Sequence, residues 1–231
     1  MFDRPHHRRI ANVLEALDAE VLLARGCLFG GGTAIALRFG EYRESVDIDF
    51  LVSRLDGYRE LRQGLTGADG LRSITRAGQV LTPCREMRAD QYGIRTMLQV
   101  EDVQIKFEIV LEGRIELEAP AAADRVCGVA TLTVLDMLVS KLLANADRWR
   151  DDAVFSRDLI DLAMMTPPKR LLRKAIDKAQ TAYGVSVAND LTSAVDSLRS
   201  RPHRLDACMQ AMGVTTVSKA LLWSRIKALK T

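Results

Sequence analysis

The stretch GGGTAIALRFGEYRESVDIDF, from Gly30 to Phe50, joins a glycine cluster to two aspartates in an otherwise apolar segment. Its glycines are followed by TAIALRF, whose small apolar residues predict a short, closely packed helix. Its last part alternates as a strand does, so one face carries Val46, Ile48 and Phe50. Asp47 and Asp49 then leave the opposite face together.

Two aspartates at this spacing have Cα atoms roughly 6.6 Å apart along a strand, and their like charges repel unless a cation lies between them. Magnesium takes carboxylate and phosphate oxygens and is the usual solution. Glu108 is a third candidate ligand if its strand lies beside that of Asp47 and Asp49. Three carboxylates holding two metal ions about 3.5–4 Å apart form a clamp for in-line phosphoryl or nucleotidyl transfer.

The glycine cluster fits the same chemistry. Gly31 and Gly32 would let the backbone approach a triphosphate closely, and the following helix would offer its free N–H groups. The hydroxyl of Thr33 would lie nearby. These residues therefore form a predicted nucleotide-binding turn.

The remaining chain predicts one region of mixed structure and one of helices. Residues 7–25 have the apolar spacing of an amphipathic helix, and Glu101-Asp102 indicates a tight hairpin between two strands. After Pro120 the patterns are helical, with a capping arrangement at Thr133 and Asp136. We therefore predict a domain at 1–120 and a helical domain at 121–231.

Charge is distributed unevenly along the 231 residues. Residues 1–165 contain 21 Lys and Arg against 26 Asp and Glu, whereas residues 166–231 contain 12 against 4, a net charge of +8. The second region is either a phosphate-binding face or a solvated helical surface. No apolar run approaches the ~20 residues that span a bilayer, so we expect a cytoplasmic protein that does not enter a membrane. The four scattered cysteines indicate reduced, mostly buried thiols.

The blocks GGTAIALRF and RESVDIDF resemble the signature of the AbiEii/AbiGii toxin-type nucleotidyltransferases, a branch of the DNA polymerase β-like superfamily. A second block, MLVSKLLANADRWRDDAVFSRDLIDLAMM, is similar to the family's helical motif. The resemblance covers roughly residues 28–165. It implies an α+β nucleotidyltransferase fold, in which a small mixed β-sheet with helices is followed by a helical C-terminal domain.

The resemblance also implies site residues. Asp47 and Asp49 would bind both magnesium ions, and Glu108 would be the third ligand or the base. Lys141 would contact the nucleotide phosphates. The other residues carried over would line or support the site: Arg43, Ser45, Arg157, Asp158 and Asp161. Alternatively, Lys141 is a packed lysine, the charges of Arg157, Asp158 and Asp161 only favour the start of a helix, and Arg43 fixes the nearby loop by an ion pair.

The activity implied is transfer of a nucleoside monophosphate from an NTP to an acceptor hydroxyl. The relatives imply that the acceptor could be RNA, notably the 3′ end of tRNA, and that the protein could be a toxin with a cognate antitoxin. Two alternatives remain open at this point. One is a binding module that has lost turnover, and the other is a transferase acting on a protein or a small molecule.

Overall fold

The computed structural model describes residues 2–230, which form two compact units. Unit 1 contains the chain up to Leu37 together with Val46–Thr133. Unit 2 contains Arg38–Ser45 together with the chain from Val134 onward. The boundary expected at residue 120 concerns folding domains and stays a prediction.

Unit 1 is an α+β structure on one main sheet. Its elements are α1 (Pro5–Ala16), α2 (Ala19–Ala24), β1 (Leu28–Gly30), α3 (Gly31–Arg38), β2 (Ile48–Val52), α4 (Leu55–Thr66), β3 (Thr82–Pro83), β4 (Arg88–Ala89), β5 (Gly93–Val100), β6 (Val103–Leu111), β7 (Arg125–Val126) and β8 (Val129–Ala130). The six-stranded sheet has the order β1-β2-β6-β5-β3, and β4 also pairs with β5. Only β2 and β6 run parallel among these pairs, so the predicted mixed sheet is confirmed.

One face of this sheet is the core of unit 1. The rings of Phe29, Phe50 and Phe107 lie in a row across β1, β2 and β6, with successive centroids 5.6 Å apart and planes tilted by 44°. All three side chains are fully buried. Tilted aromatic pairs at this distance add about 0.5–1.5 kcal/mol each beyond the area that they bury. The apolar face fixes the register, and the charged residues of β2 and β6 must then leave the other face.

Two local predictions in unit 1 need correction. The helix expected over residues 7–25 is broken, because the Asp18 carboxylate accepts a hydrogen bond from the Val21 amide at 3.0 Å and starts α2. Leu17 leaves the helix, is fully buried and bridges to Thr75. Val46 does not lie on the core face of the strand, because it precedes β2 and is 49% exposed.

The hairpin at Glu101-Asp102 is confirmed between β5 and β6. Glu101 adopts a positive φ of 53°, as a tight turn requires. Arg9 of α1 donates to both acidic side chains, at 2.7 Å to Glu101 and 2.9 Å to Asp102. The turn is therefore tied to the first helix.

Unit 2 is helical, as predicted. Its helices are α5 (Val134–Arg148), α6 (Arg157–Met164), α7 (Lys169–Tyr183), α8 (Ser186–Ser200), α9 (Arg204–Ala211) and α10 (Lys219–Ala228). Helix α5 packs against α6, α7 and α8, and α10 packs against α6. The Asp136 carboxylate near the start of α5 is buried and pairs with Lys178 of α7 at 2.6 Å. Within residues 2–230, no helix is long and apolar enough to cross a membrane.

All four cysteines are free thiols, as expected from their spacing. Cys27 and Cys208 are buried, and burial raises the pKa of the Cys27 thiol far above its usual range. Cys84 is exposed, so the expectation of mostly buried thiols holds for only part of the set.

Candidate functional site

The polar face of the main sheet brings the predicted carboxylates to neighbouring strands. Asp49 lies directly beside Glu108 in the parallel pairing of β2 and β6. Asp47 immediately precedes β2, and Gly30 of β1 lies on the other side of Asp49. The strand of Glu108 therefore lies beside the strand of Asp49, which is the condition for Glu108 to be a third ligand.

Gly31 fits closely against one of these carboxylates. An added Cβ at Gly31 would lie 2.5 Å from Oδ2 and 2.9 Å from Cβ of Asp49. Gly31 also has a positive φ of 66°, which side chains of L residues rarely adopt. Glycine at this position thus lets the start of α3 approach the Asp49 carboxylate. Any side chain at position 31 would displace the Asp49 side chain.

Thr33 is a second link between the glycine turn and the aspartates. Its side chain is buried, and its hydroxyl donates to the backbone carbonyl of Asp47 at 2.6 Å. This hydrogen bond fixes the chain just before β2. Gly32, between Gly31 and Thr33, is half-buried in the first turn of α3.

Two cations share the face with the carboxylates. Lys106 is hydrogen-bonded to Oε2 of Glu108, and Nε of Arg95 lies 3.5 Å from Oε1 of the same group. Burial would lower the pKa of Lys106, but the hydrogen bond to Glu108 and the charges of Glu108, Asp49 and Asp47 raise it above the usual lysine value. Lys106 therefore keeps its positive charge beside Glu108.

The donor set suits a divalent cation in its chemistry. Among residues 2–230, no three Asp, Glu, His or Cys side chains form a ready-made metal cluster. Asp47, Asp49 and Glu108 nevertheless supply the carboxylate oxygens that magnesium prefers. The three residues suit magnesium by their chemistry, and metal binding by them stays a prediction.

Lys141 lies in unit 2, in a buried ion pair. Its ammonium is 2.9 Å from Oδ1 of Asp158 and 2.7 Å from Oδ2 of Asp161. The three side chains are at most 6% exposed. Arg148 adds two further hydrogen bonds to Asp158, at 2.7 and 2.9 Å.

Asp161 also anchors the segment Arg38–Ser45 within unit 2. Tyr42 donates its hydroxyl to Oδ1 of Asp161 at 2.5 Å, and Arg43 donates Nε at 2.7 Å and Nη2 at 2.9 Å. In this structure Arg43 thus forms an ion pair with Asp161. We use the term ion cluster for the following residues: Tyr42, Arg43, Lys141, Arg148, Asp158 and Asp161.

Both carboxylates of the ion cluster stay ionised despite their burial. Burial alone would raise the pKa of Asp161, but the charges and hydrogen bonds of Arg43 and Lys141 bring it below its ordinary value. The pKa of Asp158 is held low in the same way by Lys141 and Arg148. Burial and the nearby Asp161 charge raise the pKa of the Tyr42 hydroxyl well above 10. The cluster therefore combines three cations with two carboxylates and a neutral tyrosine.

The predicted residues thus fall into two groups. Gly31, Gly32, Thr33, Asp47, Asp49 and Glu108 belong to unit 1, and Arg43, Ser45, Lys141, Arg157, Asp158 and Asp161 belong to unit 2. Arg157 is exposed at the start of α6, in contrast to the buried Asp158 beside it. Sequence reasoning missed Lys106, Arg95, Tyr42 and Arg148 as members of these clusters. Only Lys106 left a signal, since it shares the polar face of its strand with Glu108.

Similarity to known proteins supports the architecture. The chain resembles JHP933 from Helicobacter pylori with a TM-score of 0.55 and 13% identity, over 100% of this chain and 94% of that one. It also resembles a candidate nucleotidyltransferase from H. pylori with a TM-score of 0.50 and 14% identity, over 97% and 93% of the two chains. At these identities the likeness concerns the fold. No curated protein matches the sequence.

Residues 12–216 match the model of the family described as nucleotidyl transferase AbiEii toxin, type IV toxin–antitoxin system. The match includes the glycine turn, the three carboxylates and the ion cluster. A family of this type implies an NTP substrate and an antitoxin partner. This chain belongs to the AbiEii family and is a nucleotidyltransferase of the type IV toxin–antitoxin class.

Proposed function

We propose that the chain transfers a nucleoside monophosphate from an NTP to an acceptor hydroxyl in a magnesium-dependent reaction. The acceptor oxygen forms a bond to the α-phosphorus, the bond to the bridging oxygen breaks, and pyrophosphate leaves while the hydroxyl proton passes to a base. The observation that carries the proposal is the position of Asp49, beside Glu108 and against the backbone of Gly31.

Asp47 and Asp49 would hold the divalent ions, with Glu108 as third ligand or as the base that accepts the proton. Such ions would neutralise the charge that develops on the phosphate oxygens. Gly31, Gly32 and Thr33 would receive the triphosphate, since the free N–H groups at the start of α3 favour anions. Thr33 would also hold Asp47 in place through its carbonyl.

The proposal retains the roles that the family resemblance implies for unit 2. Lys141 would contact the nucleotide phosphates, and Arg43, Ser45, Arg157, Asp158 and Asp161 would line or support the site. In the ion cluster the Lys141 ammonium already pairs with two carboxylates. To bind nucleotide, it would have to break at least one of these ion pairs and bind a phosphate oxygen instead. Nucleotide affinity can test this role separately from folding.

Replacing Lys141 with Met should lower nucleotide affinity about tenfold or more, because the variant cannot form a charge-assisted hydrogen bond to phosphate. It should also lower the free energy of unfolding, since Asp158 and Asp161 lose a buried partner. Lys178→Met is the matched control, because Lys178 pairs with buried Asp136 but has no predicted contact with nucleotide. Equal nucleotide affinities in the two folded variants, measured by calorimetry below their melting temperatures, would assign Lys141 to packing alone.

We further propose that the acceptor is RNA, with the 3′ end of tRNA as the candidate. Four exposed cations stand in the first six positions of α7: Lys169, Arg170, Arg173 and Lys174. Positive charge at a helix N-terminus opposes the helix dipole, so this arrangement costs stability unless an anion is bound. Within the described residues, Lys169, Arg170 and Arg173 form no ion pair that would offset it.

Changing these four residues to Gln should weaken RNA binding and flatten its dependence on salt. For each RNA phosphate that the variant no longer neutralises, the slope of log K against log salt should decrease by about 0.7 for a single strand. The control has the same change in charge, made at four exposed arginines of unit 1: Arg59, Arg62, Arg72 and Arg88. Filter binding of tRNA at two salt concentrations gives the salt slope of each variant. The same salt slope in both variants would show that the start of α7 does not bind RNA.

Incubation with each labelled NTP, Mg²⁺ and total cellular RNA or protein tests the whole proposal. We expect label in the RNA pool, in amounts that depend on Asp49. Label in the protein pool would replace the RNA acceptor with a protein hydroxyl. A lack of label in every pool would contradict transfer under these conditions and refute the assigned acceptors.

A further inference from the structure

Lys106 is a cation in direct contact with one candidate metal ligand, Glu108. It precedes Glu108 by two residues on β6, so both side chains leave the same face. Asp49 is the direct neighbour of Glu108 across the pairing of β2 and β6, so Lys106 lies on the face that carries both carboxylates. The Lys106 ammonium is hydrogen-bonded to Oε2 of Glu108.

Both oxygens of the Glu108 carboxylate already lie near a side-chain cation. Lys106 is hydrogen-bonded to Oε2. Glu108 is further engaged by Arg95 at 3.5 Å, so its oxygens meet two side-chain cations before any metal arrives.

We infer that the Lys106 ammonium is a built-in cation of this site, which competes with a divalent ion for Glu108. The inference rests on the proposed function, because it assumes that Asp47, Asp49 and Glu108 bind metal. It adds a determinant of metal affinity. Lys106 is a positioning residue in this sense, since it acts through the carboxylates.

Binding of Mn²⁺ to chelator-treated, nucleotide-free protein, followed by electron paramagnetic resonance, tests this inference. Lys106→Met should bind Mn²⁺ at least about tenfold more tightly than the wild type, because a positive charge in contact with Glu108 is removed. Lys106→Arg keeps the charge and should remain close to the wild type. Lys227→Met, at an exposed lysine of α10, is the control for loss of a lysine elsewhere.

The results separate the inference from the function on which it rests. Wild-type binding that disappears in Asp49→Asn but is unchanged in Lys106→Met would overturn the inference and leave the metal site intact. Equal tightening in Lys106→Met and Lys106→Arg would show that geometry rather than charge matters, and would also overturn it. If Mn²⁺ binding is absent, or is insensitive to Asp49 in every variant, the metal site fails and the inference fails with it.

Discussion

Replacing Asp49 with Asn is expected to reduce nucleotide transfer by about 10³-fold or more, while the protein stays folded. A metal ligand that stabilises charge in the transition state supplies several kcal/mol, and each 1.36 kcal/mol corresponds to a factor of ten in rate. Asn keeps the shape of the side chain against Gly31 but loses the anionic oxygen. The repulsion that Asp49 shares with Asp47 and Glu108 is relieved while its attraction to the Lys106 ammonium is lost, so the free energy of unfolding should change little.

Single-turnover transfer from labelled NTP measures this effect, and urea unfolding checks the fold. Asp69→Asn is the matched control, because Asp69 is an exposed aspartate of unit 1 with no side-chain capping bond. It should behave as the wild type in both measurements. Transfer in Asp49→Asn at the rate of Asp69→Asn would refute the assignment of the carboxylate face as the catalytic site.

The sequence identified the carboxylate face because its determinants are local. Alternation in β2 and β6 assigns each side chain to a face, and the faces of Phe50, Phe107, Asp49 and Glu108 follow from it. The hairpin at Glu101-Asp102 is equally local. The break at Asp18 was missed because apolar spacing continues through it, and only the capping carboxylate and the pairing of Leu17 end the helix.

The ion cluster could not be assembled from sequence patterns. Tyr42 and Arg43 meet Asp161 across sequence separations of 119 and 118 residues. Periodicity indicates that a residue is buried, but it does not identify a partner so far along the chain. The family resemblance selected Lys141, Asp158 and Asp161 without showing that they bind one another. Burial and pairing together explain why two aspartates can lie on the inner side of α6.

Replacing Asp161 with Asn should lower the free energy of unfolding by about 3–5 kcal/mol, because buried Arg43 loses its carboxylate partner and Lys141 loses one of its two. The Asp161 carboxylate accepts hydrogen bonds from Tyr42, Arg43 and Lys141 and is fully buried. An Asn amide has one oxygen and one NH₂ group. Its NH₂ group would therefore face the N–H or O–H donors that bind Asp161 in the wild type. The loss is a large part of the 5–15 kcal/mol that typically stabilises a protein. Urea midpoints measure it, and Asp177→Asn, at an exposed position of α7, is the control, with an expected change within about 0.5 kcal/mol.

Acid provides an independent check on the Asp161→Asn variant. Because the folded-state pKa of Asp161 lies below its ordinary value of 3.8, its contribution to stability is present above about pH 4 and is lost as the pH falls further. The difference in unfolding free energy between wild type and Asp161→Asn should therefore be largest near neutral pH and should shrink below pH 4. A difference that stays constant from pH 7 to pH 3 would show that the cost of the substitution comes from shape rather than from lost charge.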